Sequence, residues 1–319
     1  MMRILANDGI DASAKLALEA KGFEVDTNKI PQDELPARVN DYDVLLVRSA
    51  TKVNASVIEN ATNIKLIGRA GVGLDNIDLE AAKNKGITVV NTPAASSTSV
   101  AELVFAHMFS VSRWLQYSNR EMPNNGVANF NGLKKTCSEG IELKGKTLGL
   151  IGFGRIGREA ARMAYGLGMN VIAYDPMIQT AEVQIQFHPD AGLPTLTHTV
   201  KTISKEAVLQ QADFVSLHIP GGQGYVIAEA ELNMMKPSAV LINCARGGVV
   251  NEKDLVTALT QGKLAYAGVD VFEQEPPVYD GLLKLNNVSL TPHIGASTAE
   301  AQKRIGDEMA EQILKHFNL

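Results

Sequence analysis

Cysteine is scarce in this sequence. Only Cys137 and Cys244 occur among the 319 residues, and they lie far apart. Two isolated thiols do not build a disulfide framework, and they show none of the paired spacings that hold zinc. We therefore expect neither a disulfide framework nor a metal site.

An excess of basic residues is also absent. The 30 Lys and Arg residues are outnumbered by 35 Asp and Glu residues, which leaves a formal charge of -5. The sequence pI is about 5.7. A chain with this charge balance gives no reason to expect a polyanionic partner. Nucleic acid is therefore not among the expected partners.

Long apolar runs are missing as well. The first ten residues, MMRILANDGI, lack the extended apolar region of a secretory signal. The most apolar helix-like segment, residues 100–115, contains Glu102, His107 and Arg113, so it is not expected to cross a membrane. We therefore expect a cytoplasmic protein without a membrane partner.

The sequence does contain a glycine turn within an ordered strand–helix–strand pattern, residues 147–175. An apolar run enters Gly-Phe-Gly-Arg-Ile-Gly, and a helix-like segment and a second apolar run follow. In such a unit Gly152 permits the tight turn, Gly154 lets the backbone approach a pyrophosphate, and Gly157 lets the helix pack closely on the strand.

The ends of this pattern indicate which cofactor it holds. The N-terminus of the helix offers backbone N–H groups and a positive dipole end to phosphates. Asp175, about twenty residues on, stands where a carboxylate binds the ribose hydroxyls and repels a 2′-phosphate. NAD is therefore the predicted cofactor, and a glycine-rich turn of an ordinary α/β protein is the alternative.

Short apolar runs alternate with helical segments in the first hundred residues. Such alternation predicts a parallel sheet with helices on its faces, and thus an α/β fold. No glycine fingerprint follows the first strand, so this region is not expected to hold the cofactor. The predicted strands lie near residues 3–6, 23–25, 43–49, 64–70 and 87–93, and the predicted helices near 12–20, 33–39, 55–60 and 79–85.

Residues 99–119 carry apolar side chains at helical spacing around much of the circumference. We predict one long buried helix here, which crosses between two domains, and a contact between subunits is one way to bury it. A homodimer through the helix near residues 100–119 is the resulting expectation. His107 is interpreted as a packed or interfacial histidine, and the Asn- and Gly-rich residues 123–140 as a loop.

The second half repeats the alternation of strands and helices. The predicted strands lie near residues 147–152, 170–175, 214–219, 239–244, 266–271 and 288–292, and the helices near 155–167, 205–210, 228–234 and 254–261. The pattern of residues 177–202 is mixed, and we leave this segment unassigned. Residues 298–317 predict an amphipathic helix that must pack on a sheet already built.

These elements predict two domains. The first consists of residues 1–98 plus 294–319 and is expected to bind the substrate. The second consists of residues 99–293 and is expected to bind NAD. A cleft between the two domains would then hold the chemistry.

Three polar residues stand at strand ends or in glycine-containing turns of the second half: Arg246, Glu275 and His293. Hydride transfer from a carbon that bears a hydroxyl needs a base for the hydroxyl proton, a task that suits His293. A carboxylate bonded to an imidazole fixes its tautomer and favours its protonated form, and Glu275 is the candidate. Arg246 could hold a substrate carboxylate and polarise the adjacent carbonyl. Taken singly, each residue is also compatible with a structural loop.

Five segments together resemble the NAD-dependent D-2-hydroxyacid dehydrogenases: LIGRAGVGLDNIDLEAAKNKGITVVNTP, GLIGFGRIGREAA, LINCARGGVVNEKDL, AGVDVFEQEPP and TPHIGAST. The resemblance covers nearly the whole chain, and VRSATKV and HIGAST are most similar to the phosphoglycerate-oxidising branch. It implies two Rossmann-like domains, each a doubly wound parallel sheet, of which the first is completed by the C-terminal helix.

Residue by residue, the resemblance implies His293 as general acid and base, Glu275 as its partner, and Arg246 as the ligand of the substrate's carboxylate and carbonyl. It assigns Asp270 to the nicotinamide carboxamide. Cys244 is interpreted as a small buried residue and not as a nucleophile. The implied cofactor-binding residues are Gly152, Gly154, Arg155, Ile156, Gly157, Asp175, His218, Pro220, Cys244, Ala245, Asp270 and Gly295, and the implied substrate-binding residues are Arg48, Arg69, Val72 and Gly73.

Alternatives remain for several of these residues. Arg48 matches a substrate-phosphate position, but a structural ion pair is an alternative for Arg48 and for Arg69. The segment from His218 to Pro220 could be a plain strand-end turn. Two features also depart from the family pattern: the Gly-Gly-Gln-Gly turn after Pro220 is shorter than usual, and residues 175–213 form a longer segment than is typical.

The expected reaction is the NAD-dependent oxidation of D-3-phosphoglycerate to 3-phosphohydroxypyruvate, the entry to serine biosynthesis. Reduction of glyoxylate, hydroxypyruvate or another D-2-hydroxyacid pair by the same chemistry is the nearest alternative. A dinucleotide-sensing protein similar to the corepressors of this superfamily is a more distant one. Because the chain stops after its closing helix, no appended serine-sensing domain is expected.

Overall fold

The structure is a computed structural model that describes residues 1–222 and 224–319. The chain divides into two compact units. Residues 1–99 and 296–319 form the first unit, and residues 100–295 form the second. Each unit contains one parallel sheet, and the second also contains a two-stranded hairpin.

The strands in chain order are β1 (Met2–Ala6), β2 (Phe23–Asp26), β3 (Val44–Val47), β4 (Leu66–Arg69), β5 (Thr88–Asn91), β6 (Thr147–Ile151), β7 (Asn170–Tyr174), β8 (Thr180–Ile185), β9 (Leu196–Lys201), β10 (Phe214–Leu217), β11 (Val240–Asn243), β12 (Tyr266–Val269) and β13 (Val288–Leu290).

The helices are α1 (Ala12–Glu19), α2 (Leu35–Arg38), α3 (Ala55–Asn60), α4 (Leu79–Asn84), α5 (Ser97–Ser112), α6 (Leu115–Asn125), α7 (Phe130–Thr136), α8 (Arg155–Gly166), α9 (Lys205–Gln211), α10 (Glu229–Leu232), α11 (Glu252–Thr260) and α12 (Ala299–His316). Short 3-10 turns lie at Val39–Asp41, Pro189–Ala191 and Leu282–Lys284.

The sheet of the first unit has the parallel strand order β2-β1-β3-β4-β5. All four residues of β3 are buried, as expected for a parallel strand covered on both faces. The C-terminal helix α12 packs against α1 and β4. A Cβ atom on Gly306 would lie 2.9 Å from the Cβ atoms of Ala14 and Asp11, so α12 and α1 meet almost backbone to backbone.

The sheet of the second unit has the parallel order β13-β12-β11-β10-β6-β7. The chain winds outward from β6 to β7, and then returns to the other side of β6 to build β10 and the strands beyond it. Open α/β sheets bind ligands at the carboxyl ends of the strands where the winding reverses. The two helix-flanked parallel sheets confirm the predicted α/β class with Rossmann-like domains.

The single helix predicted for residues 99–119 is wrong, because the structure has two helices there. Trp114, between α5 and α6, has φ 57°, a left-handed conformation that ends an α-helix. Its indole packs edge-on against Tyr266 with ring centroids 5.5 Å apart, and the Ser112 carbonyl accepts the Ile141 N–H at 2.9 Å. Tertiary packing thus interrupts a helical periodicity that the sequence continues.

The loop predicted for residues 123–140 is also wrong. Helix α6 extends to Asn125 with Pro123 inside it, and α7 occupies much of the remaining segment. Pro123 stands in the last turn of an exposed helix, where it costs only one backbone hydrogen bond. Leu133 is buried and anchors α7. Burial of this one apolar side chain favours a helix in a segment whose composition is typical of a loop.

The segment 177–202, which the sequence left unassigned, contains an antiparallel hairpin of β8 and β9. The register pairs Val183 with His198. Val183 and Val200 are buried in the core of the second unit, and β8 packs against α8. The extra length of this segment is therefore a folded part of the second unit.

Helix α5 is apolar around much of its circumference because it lies in the core of the second unit. Val104, Met108 and Val111 are buried in one cluster with Leu150 and Ile242. Packing inside the unit thus accounts for the apolar pattern, and a homodimer through this helix stays a prediction. Across the described ranges, no helix is long and apolar enough to cross a membrane.

His107 is a polar residue on the buried side of α5, where it is 1% exposed. Burial lowers the pKa of His107 to about 4, which outweighs the opposite effect of the Asp270 charge. The imidazole is therefore neutral near pH 7. His107 is a packed residue of the second unit, one of the two roles interpreted from the sequence.

We predict that acidification destabilises the second unit through His107. Between pH 6.5 and about 4 the unfolded chain binds a proton at this residue that the folded chain does not, so the free energy of unfolding falls by about 1.4 kcal/mol per pH unit. In His107→Gln this proton is no longer taken up on unfolding, so the free energy of unfolding should fall less steeply with decreasing pH, by about 1.4 kcal/mol per pH unit. Urea unfolding followed by fluorescence of Trp114, the single tryptophan, measures it from pH 4.5 to 8. Equal slopes in the two proteins would contradict the prediction.

Candidate active site and cofactor turn

The glycine turn follows β6 and leads into α8. Gly152 has φ 96°, and a Cβ atom there would lie 2.3 Å from the carbonyl oxygen of His218. A Cβ on Gly157 would lie 2.4 Å from the Gly152 carbonyl oxygen. Gly154 is the N-cap of α8, and a Cβ on it would meet no atom within 4 Å. Close packing explains the first and third glycines, whereas the second borders open space.

Helix α8 begins beside this open space. Arg155 and Ile156 are the first two residues of the helix. The N-cap residue, Gly154, has no side chain that could accept a hydrogen bond from the N–H groups of the first turn. Unpaired N–H groups at a helix start bind anions such as phosphates. The open space beside Gly154 is therefore a cradle that a pyrophosphate group fits.

Asp175 follows β7 and lies beside the glycine turn. Its Oδ2 accepts the Phe153 N–H at 2.7 Å, and its Oδ1 accepts the N–H groups of Met177 at 2.8 Å and Ile178 at 3.0 Å. The carboxylate is thus held at the entrance to the β8–β9 hairpin. This position is compatible with its predicted contact to ribose hydroxyls, which stays a prediction.

His218 follows β10, the strand next to β6, so it lies at the same reversal of the sheet. Its Nε2 is buried, and no hydrogen-bond partner for it exists among the described residues. Burial lowers the pKa of His218 to about 4, so the ring is neutral. Pro220 is exposed at the following turn. Gln223, in the shortened Gly-Gly-Gln-Gly turn, lies outside the described residues.

His293 and Glu275 form the centre of the candidate active site. The His293 Nδ1 lies 2.7 Å from the Glu275 Oε2, with side-chain exposures of 40% and 39%. The other carboxylate oxygen, Oε1, accepts the Phe272 N–H at 3.2 Å. Because a carboxylate only accepts, Nδ1 carries the proton of this hydrogen bond, which leaves Nε2 as the ring nitrogen that can act as a base. The pair adjoins a cavity of about 360 Å³ with walls from Phe272, Pro276 and Leu283.

The turn that carries His293 is fixed by Asp270, which is 1% exposed. The carbonyl of Asp270 accepts the His293 N–H at 2.8 Å. Its carboxylate accepts the N–H groups of Ile294 at 2.8 Å and Gly295 at 2.9 Å. His293 has φ 55°, a conformation that costs energy for a residue with a side chain. The bonds to Asp270 hold it there.

Arg246 lies in the loop after β11. The side chain of Asn243, the last residue of β11, holds this loop by hydrogen bonds to its backbone. The Asn243 Nδ2 donates to the Arg246 carbonyl at 3.0 Å, and its Oδ1 accepts the Ala245 N–H at 3.1 Å. The Arg246 Nη1 donates to the Ala245 carbonyl at 2.6 Å. Sequence reasoning missed Asn243; a polar residue that ends a buried strand before a Gly-Gly turn is the signal that could have found it.

Glycine also joins the Arg246 loop to the Glu275 loop. A Cβ on Gly247 would lie 1.8 Å from the Phe272 carbonyl oxygen, so the two backbones are in direct contact. Cys244, in the same loop, is buried, and burial raises the pKa of its thiol well above the usual value. It therefore stays protonated, in agreement with its interpretation as a small buried residue.

The predicted substrate residues lie in the first unit. Arg48 follows β3 and lines a cavity of about 260 Å³, together with Asp8, Asp11 and Gln302. The Asp8 carboxylate accepts the backbone N–H groups of Arg48 at 2.8 Å and Thr51 at 3.0 Å. Arg48 thus belongs to a tightly bonded loop and lines a cavity whose walls also include the apolar residues Leu46, Ile305 and Met309.

The other three lie at the end of β4 and in the loop that follows it. The Arg69 Nη1 lies where a Cβ of Gly71 would stand, 1.6 Å away, so the guanidinium folds over its own loop. Asn91 donates to the Val72 carbonyl at 2.6 Å, and Gly73 follows. Substrate roles for Arg48, Arg69, Val72 and Gly73 stay predictions. Within the parts of the chain that the structure describes, no group of three or more His, Cys, Asp or Glu side chains could hold a metal ion.

Comparison with known proteins gives consistent matches. Residues 105–295 match the family described as D-isomer specific 2-hydroxyacid dehydrogenase, NAD binding domain. The chain is 42% identical to hydroxypyruvate reductase of Thermotoga maritima over 323 residues, which covers 99% of each chain. It is 44% identical to D-3-phosphoglycerate dehydrogenase of Methanocaldococcus jannaschii over 317 residues, 99% of this chain but only 57% of that one.

A solved structure also resembles the fold. The holo form of D-mandelate dehydrogenase from Rhodotorula graminis matches with a TM-score of 0.84 and 26% identity, covering 98% of this chain and 94% of that one.

Two glycine substitutions should separate folding from cofactor binding. Gly152→Ala should lower the free energy of unfolding by about 1–3 kcal/mol, because of its positive φ and the close His218 carbonyl. Gly154→Ala should leave that free energy within about 0.5 kcal/mol, but weaken NADH binding at least about tenfold by filling the cradle. Urea unfolding and NADH fluorescence titration measure the two effects. Unchanged NADH affinity in Gly154→Ala would contradict the assignment of the cradle.

Proposed function

The chain belongs to the D-isomer specific 2-hydroxyacid dehydrogenase family, and we propose that it oxidises D-3-phosphoglycerate to 3-phosphohydroxypyruvate with NAD. The observation that carries the catalytic part of this proposal is the bonded pair of His293 and Glu275 at 2.7 Å. A base fixed by a carboxylate is what the oxidation of a hydroxyl carbon requires. The same pair disfavours a purely dinucleotide-sensing role.

The second unit contains the family's NAD-binding domain, and its residues fit the cofactor. The cradle beside Gly154 would take the pyrophosphate, and Asp175 would take the ribose of the adenosine half. When bound, NAD supplies the acceptor for the hydride. Asp270 would bind the nicotinamide carboxamide, since its two carboxylate oxygens accept three hydrogen bonds from the protein and have room for a fourth.

His293 carries the proton in this proposal. Its Nε2 takes the hydroxyl proton of the substrate as the hydride leaves the same carbon. Glu275, at Nδ1, then stabilises the imidazolium that forms. In the reverse direction the imidazolium returns the proton to the oxygen of the 2-oxo acid.

Arg246 would orient the substrate. A guanidinium can bind a carboxylate through two parallel hydrogen bonds and polarise a neighbouring carbonyl. The loop that carries Arg246 is held by Asn243 and contacts the loop of Glu275 at Gly247. This packing supports a common role for the two loops.

We predict that His293→Ala lowers kcat by about 10²–10⁴-fold, because the proton acceptor is lost, and leaves NADH affinity within about twofold. Glu275→Gln keeps an acceptor for Nδ1 but removes the charge, so kcat should fall about 10–100-fold. His188→Ala, at an exposed histidine of the hairpin segment, is the control. Steady-state kinetics and NADH titration measure both quantities. Unchanged turnover, or lost NADH binding, in His293→Ala would sink the assignment.

Arg48 supports the phosphorylated substrate. It is the cation among the described residues that line the 260 Å³ cavity of the first unit. The carboxylates in that cavity are already bonded: Asp8 accepts the Thr51 hydroxyl at 2.8 Å, and Asp11 accepts from Ser13. The guanidinium is therefore the group best suited to an added phosphate.

The second candidate is reduction of hydroxypyruvate by the same residues. The full-length 42% identity to the Thermotoga maritima protein named hydroxypyruvate reductase favours it. The chemistry at His293 would be unchanged, and Arg48 would have no phosphate to bind.

Arg48→Gln separates the two candidates. If Arg48 binds the phosphate, kcat/KM for 3-phosphohydroxypyruvate should fall about 10–100-fold, while kcat/KM for hydroxypyruvate stays within about threefold. Lys52→Gln removes a nearby exposed charge with no predicted role and should change neither value. Equal losses for both substrates in Arg48→Gln would remove the phosphate site from the proposal.

A further inference from the structure

A buried chain of polar side chains connects α5 to the turn of His293. Ser289 and Thr291 are two residues apart at the end of β13, so their side chains share one face of the sheet. The His107 Nδ1 lies 2.9 Å from the Ser289 Oγ, and its Nε2 lies 3.0 Å from the Thr291 Oγ1. The Thr291 hydroxyl donates to the Asp270 Oδ1 at 2.6 Å.

The sheet is built to admit this imidazole. Gly268 of β12 pairs with Ser289 in the register of the sheet. A Cβ on Gly268 would lie 2.7 Å from the His107 Cβ and 2.9 Å from its Cγ. A side chain at this strand position would push the ring away, so glycine here places His107 against the end of β13.

The directions of the hydrogen bonds follow from proton counting. The Asp270 carboxylate can only accept, so the single hydroxyl proton of Thr291 points to it. The Thr291 oxygen must then accept from His107, which places the ring proton on Nε2. The Nδ1 of the neutral ring is left as an acceptor for the Ser289 hydroxyl. The hydrogen-bond chain therefore runs in one direction, from Ser289 through His107 and Thr291 to Asp270. Each donor points towards the buried carboxylate.

Asp270 is the point where this chain reaches the active site. The same Oδ1 that accepts the Thr291 hydroxyl also accepts the Ile294 N–H, and Oδ2 accepts the Gly295 N–H. Aligned hydrogen bonds polarise one another in a buried environment. A change in the hydrogen bond of the Thr291 hydroxyl thus alters the bonding of the Asp270 carboxylate, which holds the left-handed turn at His293.

We propose that His107 is a positioning residue of this enzyme: as the neutral Nε2–H tautomer it fixes the Thr291 hydroxyl on Asp270, and through Asp270 it fixes the turn of His293. It touches neither substrate nor cofactor. The kinetic consequences of this role rest on the proposed function, whereas the tautomer of His107 does not. The two can therefore fail separately.

The tautomer is tested on the wild-type protein by NMR with ¹⁵N-labelled histidine. We expect a protonated Nε2 and an unprotonated Nδ1 for His107 at pH 7, assigned by the loss of its signals in His107→Gln. A slowly exchanging Nε2–H proton should accompany them, because the residue is 1% exposed. A protonated Nδ1 would overturn the proposal, whatever the enzyme's substrate is.

The positioning role is tested by two matched substitutions at His107. The Gln side chain can place an N–H donor near the position of Nε2, so His107→Gln should keep kcat within about threefold of the wild type. The Asn side chain reaches only as far as Nδ1, so His107→Asn should lose the donor to Thr291 and lower kcat at least about tenfold. Thr291→Val removes the hydroxyl in nearly the same volume and should match His107→Asn.

Cofactor affinity distinguishes positioning from general destabilisation. His107→Asn and Thr291→Val should weaken binding of NADH more than fivefold, and leave binding of ADP-ribose, which lacks the nicotinamide, within twofold. Ser112→Ala, at another buried polar residue of α5, is the control for packing on this helix. Equal losses of both ligands, or equal kcat in the Gln and Asn variants, would overturn the proposal. If the wild-type protein turned over neither substrate pair, that result would instead count against the proposed function.

Discussion

The buried carboxylate of Asp270 is the constraint on which the candidate active site of the second unit depends. A buried charge is costly unless hydrogen-bond donors surround it. Here the donors are two backbone N–H groups of the turn after β13 and the Thr291 hydroxyl. The need to satisfy one charge thereby sets the backbone of the turn that carries His293. The geometry of the candidate site is a consequence of that satisfied burial.

Close backbone approaches form the second constraint, and glycine makes each of them possible. Gly152 and Gly157 bring β6, α8 and the end of β10 together around the cofactor cradle. Gly247 brings the Arg246 loop onto the loop of Glu275, and Gly268 lets His107 pack closely on β12. Gly268 lies within β12, Gly152 and Gly247 lie in the segments that follow β6 and β11, and Gly157 lies in the first turn of α8. They therefore position functional groups as well as relieve strain.

The parallel sheet explains why residues far apart in sequence meet. Arg246 follows β11, Asp270 follows β12, and His293 follows β13, three neighbouring strands of one sheet. Parallel strands place their carboxyl ends at one edge, so each strand delivers one residue there. His107 reaches the same edge from the covering helix. The arrangement of the candidate site is in this sense a property of the sheet order.

The sequence by itself determined the fold class, the strand positions of the two parallel sheets, the glycine turn and the chemical candidates. These follow from local patterns: apolar runs bounded by turn residues, and Arg, Glu and His directly after such runs. Only the tertiary structure decided where Trp114 breaks the apolar helix, that Leu133 anchors a helix within an Asn-rich segment, and that residues 180–201 form a hairpin. It also decided the roles of Asn243, Thr291 and His107. The Thr291 and His107 side chains bond partners between 21 and 184 residues away in the chain, and no local pattern records contacts of that range.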